Sequence, residues 1–141
     1  MPELAYVNGA FVELSEARIP IEDRGYQFAD GVYEVIGTYN GRPFAMEEHL
    51  VRLQYSLDEL AIRLNVSGYG IGRIVSAGIR RANFEETLVY IQITRGVAPR
   101  RHEFPSADIK PSVVMTFKSL ERLPQEIYDK GVKLISFPDL R

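Results

Sequence analysis

Two Asn-Gly pairs, Asn8-Gly9 and Asn40-Gly41, each standing between runs of β-prone residues, constrain this chain more than any other feature. Both central residues of a tight hairpin turn need positive φ, and asparagine followed by glycine meets that need at low steric cost. Leu4-Ala5-Tyr6-Val7 and Phe11-Val12-Glu13-Leu14 flank the first pair, while residues 32–39 run into the second and Arg42-Pro43-Phe44 run out of it. Two antiparallel hairpins follow. In the strand that precedes Asn40, alternation puts Tyr33, Val35 and Gly37 on one face and Val32, Glu34, Ile36 and Thr38 on the other. Tyr33 and Glu34 then cannot share a pocket wall.

Between residues 46 and 64, Leu50, Leu53, Leu57, Leu60 and Leu64 recur at three- and four-residue steps, with Glu47 and Glu48 in the first turn where the helix dipole favours negative charge. A second helix over 71–82 carries Ile71, Ile74, Val75, Ile79 and Ala82 on one stripe and stops at Asn83, with Gly78 as a weak point inside it. Residues 87–95 and 111–117 read as strands, the latter with Pro111 at its start where no ladder donor is lost. The polar, proline-containing stretch 118–124 leads into a short helical turn ending at Lys130 and a strand over 132–137. This order implies an α+β fold, a mostly antiparallel sheet with two helices. A boundary in the polar stretch separates residues 1–118, a first domain, from residues 119–141, a linker and the first strand of a second.

At 45% hydrophobic and 26% charged over 141 residues, the composition suits an ordered core. A net charge of −2 offers no general footprint for nucleic acid or anionic lipid. No apolar run approaches membrane-span length and the N-terminus has no signal-peptide pattern, so a soluble, cytoplasmic protein is expected. With no cysteine and only two histidines, His49 and His102, a disulfide or thiolate centre is excluded and no metal site is expected. Gly68-Tyr69-Gly70-Ile71-Gly72 follows no clear strand and fits neither dinucleotide nor P-loop spacing, so it reads as a flexible lead-in to the second helix.

Chemistry concentrates in Arg24-Gly25-Tyr26-Gln27-Phe28-Ala29-Asp30-Gly31-Val32-Tyr33-Glu34, a segment read as turn and strand. Gly25 and Gly31 permit positive φ or close backbone approach, aromatic residues offer apolar walls, and Arg24, Asp30 and Glu34 offer charge. Here, and in Glu48-His49-Leu50-Val51-Arg52-Leu53, in the run from Ile93 to Pro105 and in Phe137-Pro138-Asp139-Leu140-Arg141, the sequence resembles the class IV aminotransferases, pyridoxal-phosphate enzymes of fold type IV. Within them it is most similar to the D-amino acid aminotransferase branch. Alanine at 29 stands where glycine is common in that family.

The resemblance implies pyridoxal 5'-phosphate as cofactor, with its phosphate on Arg52. On residue pattern alone the better reading of Arg52 is an exposed side chain paired with Glu48 one turn earlier, and of His49 a structural packing or hydrogen-bonding residue; the resemblance turns the choice to the phosphate. The resemblance also implies that Tyr33, Arg100 and His102 bind the substrate α-carboxylate, the loop pair reaching a neighbouring subunit's site in a homodimer. From the residues alone, Tyr33 is a core tyrosine and Arg95, Arg100, Arg101 and His102 form a solvated basic loop. In an extended stretch Arg100 and His102 point the same way and Arg101 the other.

The resemblance places the family's Schiff-base lysine beyond Arg141, so this chain holds no catalytic residue, matches an N-terminal half and is expected to be inactive alone. The implied activity is transamination between D-amino acids and 2-oxo acids such as 2-oxoglutarate or pyruvate, with no nucleic-acid or membrane partner. A branched-chain aminotransferase, an aminodeoxychorismate lyase and a non-catalytic binding domain are the alternatives.

Overall fold

Both Asn-Gly pairs make the turns expected of them in the computed structural model, which describes residues 3–139. The φ angles are 45° and 114° at Asn8 and Gly9, and 52° and 69° at Asn40 and Gly41. β1 (Leu4–Val7) therefore returns as β2 (Ala10–Glu13), and β3 (Gly31–Tyr39) as β4 (Arg42–Pro43). With β5 (Thr87–Thr94) and β6 (Ser112–Ser119) they form a six-stranded sheet of order β2-β1-β6-β5-β3-β4, antiparallel at every pairing.

Two long helices, α2 (Met46–Glu59) and α4 (Ile71–Ala82), cover one face of the sheet, and three short ones, α1 (Arg24–Phe28), α3 (Val66–Tyr69) and α5 (Gln125–Lys130), punctuate the connections. Leu53 and Leu57 of α2 and Ile71 and Val75 of α4 pack against a sheet layer that includes Ile36, Ile91, Met115 and Phe117, all fully buried. The alternation along β3 follows the sequence: Val32, Glu34, Ile36 and Thr38 are buried beneath the helices. Tyr33 lies on the open face and is 64% exposed, which overturns its reading as a core tyrosine.

Helix α2 stops at Glu59 rather than running to Leu64. Ala61 takes a left-handed conformation at φ 51°, the Ala61 N–H donates to the Asp58 carbonyl at 3.0 Å and the Ile62 N–H to that of Leu57 at 2.9 Å. This pair of bonds is the Schellman closure, which satisfies carbonyls that the last turn would leave bare. The glycines at 68–72 are not a flexible lead-in: Asn65 caps α3 through the Gly68 N–H, and Gly70, at φ 83°, turns the chain directly into α4.

Gly78 sits inside α4 for a packing reason. A Cβ at that position would run into the Phe117 ring, so the helix approaches the sheet only because the side chain is missing. Gly78→Val is expected to lower stability by about 1–3 kcal/mol through overpacking, read as a fall in the thermal unfolding midpoint.

Residues 132–137, expected as a strand, pair with nothing among the described residues, and Val132, Leu134, Ile135 and Phe137 are exposed. A strand exists only through a neighbouring ladder, and no described strand pairs with this one. Leu140 and Arg141, the end of the last resembling block, lie outside the described residues. No helix is long and apolar enough to cross a membrane, and no group of three or more His, Cys, Asp or Glu is placed to hold a metal, among the described residues.

Candidate functional site

The segment 24–34 is a helix followed by a strand rather than a turn and a strand. Asp23, buried, accepts the Gly25 N–H at 2.8 Å and caps α1, while its other oxygen accepts the hydroxyls of Thr94 at 3.0 Å and Ser112 at 2.6 Å. One carboxylate thus ties α1 to the ends of β5 and β6. Neither Gly25 nor Gly31 has a positive φ; both allow close approach, and a Cβ on Gly31 would stand 2.7 Å from the Ile93 carbonyl oxygen. Ala29 between them takes the left-handed position, at φ 54°, that glycine fills with least strain.

Arg52 does not pair with Glu48. Its Nε and Nη2 donate to the two carboxylate oxygens of Glu34 at 2.6 and 2.7 Å, across 18 residues of sequence. His49, three residues before it on α2, places Nδ1 at 2.8 Å from the same carboxylate. Glu34 is buried and the Arg52 side chain is 66% exposed. The Arg52 hydrogen bonds hold the Glu34 carboxyl below its ordinary value, against the upward push of burial and with help from His49. The same hydrogen bonds raise the guanidinium. The Nη1 edge of Arg52 has no hydrogen-bond partner among the described residues, so a rigidly held cation presents free donors to solvent.

Asp30 organises a second cluster that the sequence did not reveal. It accepts Arg24 Nε at 2.8 Å, Arg95 Nε at 2.8 Å and Arg95 Nη2 at 3.0 Å. Arg95 also donates to the carbonyls of Ala61 at 3.0 Å and Leu60 at 2.7 Å, where α2 ends. Its side chain is only 12% exposed, which removes it from the solvated basic loop. A carboxylate at the start of β3, between arginines from α1 and the end of β5, was the available signal.

The loop between β5 and β6 brings Arg100 and His102 together on Phe28. The Arg100 guanidinium carbon lies 5.2 Å from the centre of the Phe28 ring, and the His102 ring meets it edge-on at 5.7 Å. Arg101 is absent from that ring and lines a pocket with Arg24 and Phe104 instead; the chain bends at Arg100 and His102, so the extended-strand alternation does not govern this stretch. Tyr33 stacks on Tyr90 at 5.8 Å across the open face. Burial, and then the adjacent Tyr33, push the Tyr90 hydroxyl above its ordinary value. The structure thus assembles Arg52 with Glu34 and His49, and Arg100 with His102. Among the described residues, no hydrogen bond, ion pair or ring contact joins Arg100 or His102 to Arg52 or Tyr33.

This arrangement sits in a recognisable scaffold. The chain superposes on 4-amino-4-deoxychorismate lyase from Pseudomonas aeruginosa with a TM-score of 0.74 at 23% identity, covering 92% of this chain and 44% of the other. It superposes on branched-chain amino acid aminotransferase from Escherichia coli with a TM-score of 0.76 at 17% identity, covering 85% and 42%. At such identities the likeness concerns the fold, that of fold type IV aminotransferases. In sequence it is 38% identical to D-alanine aminotransferase from Staphylococcus epidermidis over 136 residues, 96% of this chain and 48% of that one. It is also 38% identical to the Bacillus licheniformis D-alanine aminotransferase, over 95% of this chain and 47% of that one. The chain spans about half the length of the curated relatives it matches. Residues 31–141 match the model of amino-transferase class IV, and with that match over most of its length the chain belongs to the class IV aminotransferase family.

Proposed function

We propose that this chain supplies the N-terminal half of a pyridoxal 5'-phosphate enzyme that transaminates D-amino acids against 2-oxo acids such as 2-oxoglutarate or pyruvate, working as a homodimer. The observation that carries the reading is the 38% identity to D-alanine aminotransferases along 96% of the chain, in company with Arg100 and His102 gathered on one ring. Residues 1–118 form the first domain in this reading, and residues 119–141 lead into a second.

The donors present fit the cofactor. A phosphate needs fixed, permanently charged N–H donors, and Arg52 provides them: Glu34 holds one edge of its guanidinium and the Nη1 edge is free. Pyridoxal phosphate, when bound, supplies the electron sink for carbanion chemistry at the amino acid Cα. The chain's own residues do the positioning. Arg52 anchors the phosphate, Glu34 and His49 orient Arg52, and Tyr33 with Arg100 and His102 binds the substrate α-carboxylate and so decides which face of Cα is presented. Arg100 and His102 serve the site of the partner protomer, consistent with their separation from Arg52 within one chain.

No lysine here is assigned a covalent role. Lys118 pairs with Glu3 at 3.5 Å and Lys130 with Glu126 at 2.7 Å, while Lys110 and Lys133 lie outside the two clusters. The 141-residue chain by itself is therefore expected to lack transaminase activity. The test is a panel of D- and L-amino acids with 2-oxoglutarate or pyruvate, run on the whole protein. D-alanine should be consumed and its L-isomer left. Turnover of L-branched-chain amino acids, release of pyruvate from aminodeoxychorismate, or no turnover at all would each replace the proposal with another reading.

A further inference from the structure

The loop between β5 and β6 has no regular secondary structure, yet it carries Arg100 and His102. Its base is fastened by backbone bonds: the Arg24 N–H donates to the Gly96 carbonyl at 2.9 Å and the Ala98 N–H to that of Glu22 at 3.2 Å. Beyond Ala98 this support ends. Among the described residues, the one hydrogen bond tying residues 99–105 to the rest of the chain runs from Arg24 Nη1 to the Arg101 carbonyl, at 2.9 Å. An open pocket of about 470 Å³ is lined by Arg24, Ala98, Arg101, Phe104 and Ile109, and the loop has a further contact there, the Phe104 ring 4.4 Å from the Arg95 guanidinium carbon.

Arg24 is only 3% exposed, and three contacts fix its orientation. Its Nε is committed to Asp30 at 2.8 Å, its Nη1 to the loop, and its guanidinium carbon lies 4.7 Å from the centre of the Phe28 ring. The same ring bears Arg100 and His102. Phe28 is thus a shared seat: one aromatic ring orders a buried arginine and both exposed cationic or donor groups.

We propose that Arg24 and Phe28 are positioning residues that set substrate affinity by holding the loop in its binding conformation, although neither touches the substrate. The inference rests on the assignment of Arg100 and His102 to the substrate carboxylate. A loop that must order on binding lowers apparent affinity by the fraction of time it is out of place. Arginine suits the strut because its planar fork makes two bonds in fixed relative directions, to Asp30 and to the Arg101 carbonyl; a lysine ammonium does not reproduce that geometry.

The test uses the whole protein with its cofactor and the variants Arg24→Met, Arg24→Lys, Phe28→Leu and Phe28→Tyr. For the amino acid turned over best, KM is expected to rise about tenfold in the first three with kcat held within about twofold, the pattern of lost binding rather than lost chemistry. Phe28→Tyr, which keeps the ring, should restore the wild-type KM. Tryptic cleavage at Arg101–His102, followed by mass spectrometry, should accelerate in the same three variants, because the restrained carbonyl belongs to that scissile bond. Arg100→Ala is measured alongside. If Arg100→Ala raises KM while the Arg24 and Phe28 variants change neither KM nor cleavage, the inference is overturned. If cleavage accelerates but Arg100→Ala leaves KM unchanged, the carboxylate assignment has failed and the affinity role falls with it. Should Arg24→Met not fold, the two Phe28 variants decide alone.

Discussion

Asp30→Ala should destabilise the folded chain by about 3–5 kcal/mol, the usual cost of removing one partner from a buried ion pair. That is a large share of the roughly 5–15 kcal/mol that holds a typical domain together. Asp30 accepts three N–H groups from Arg24 and Arg95, whose side chains are only 4% and 12% exposed. Without the carboxylate, two guanidiniums face each other largely out of water. Arg95 also closes the end of α2 through the Leu60 and Ala61 carbonyls, so the loss reaches α1, α2, β3 and β5 together. Equilibrium urea unfolding followed by circular dichroism measures it.

The same cluster sets an acid limit. Burial pushes the Asp30 carboxyl up, but hydrogen bonds and charge from Arg95 and Arg24 outweigh it and hold the carboxyl below its ordinary value of 3.8. A group whose pKa is lower folded than unfolded contributes stability fully above the unfolded value, and that contribution is lost as pH falls through the folded one. Glu34 adds a second contribution of the same sign, beginning at its ordinary value of 4.5 and caused first by the Arg52 hydrogen bonds. Stability should therefore fall steeply with acid below about pH 4. In Asp30→Asn, less stable at neutral pH, that slope should be shallower.

Arg52→Met is expected to weaken pyridoxal phosphate binding by about ten- to hundredfold, the worth of charge-assisted hydrogen bonds to an anion. The Arg52 side chain is itself 66% exposed, but its loss leaves the buried Glu34 carboxylate without a guanidinium partner, so stability should fall as well and circular dichroism must show the variant folded before the cofactor is titrated. Two controls isolate the cause. Glu48→Ala should change nothing, since Arg52 pairs with Glu34 instead. Glu34→Gln should weaken binding less than Arg52→Met does, because the cation remains but its orienting partner has lost its charge. Spectrophotometric titration of the whole protein with the cofactor reads all three.

Local rules recovered what local forces determine. The hairpins at Asn8-Gly9 and Asn40-Gly41, the alternation along β3 and the stop of α4 at Asn83 each follow from a few neighbouring residues. The partner of Arg52 did not, because helix rules look one turn away to Glu48 while Glu34 lies on another element. The missed clue was a carboxylate on the helix-facing side of a strand: buried there, it needs a cation, and Arg52 supplies one from α2. Arg95 was misread for the same reason, as a member of a charge cluster in sequence rather than a partner of Asp30 in space. Tyr33 shows the reverse error. Alternation fixes which residues share a face but not which face is covered, and both long helices settle on the side opposite Tyr33. Residues 132–137 have strand-forming side chains, but a ladder partner is a tertiary fact.

In the proposed homodimer, Arg52 of one protomer and Arg100 with His102 of the other compose one site. Co-expression of Arg52→Met and Arg100→Ala chains of the whole protein under two different tags, with isolation of dimers bearing both, tests it in a single activity measurement. Each parent should be severely impaired, whereas the mixed dimer gathers both lesions into one of its two sites and leaves the other intact, so about half of the wild-type activity per dimer should return. A mixed dimer no more active than its parents, or no dimer to isolate, would contradict the claim.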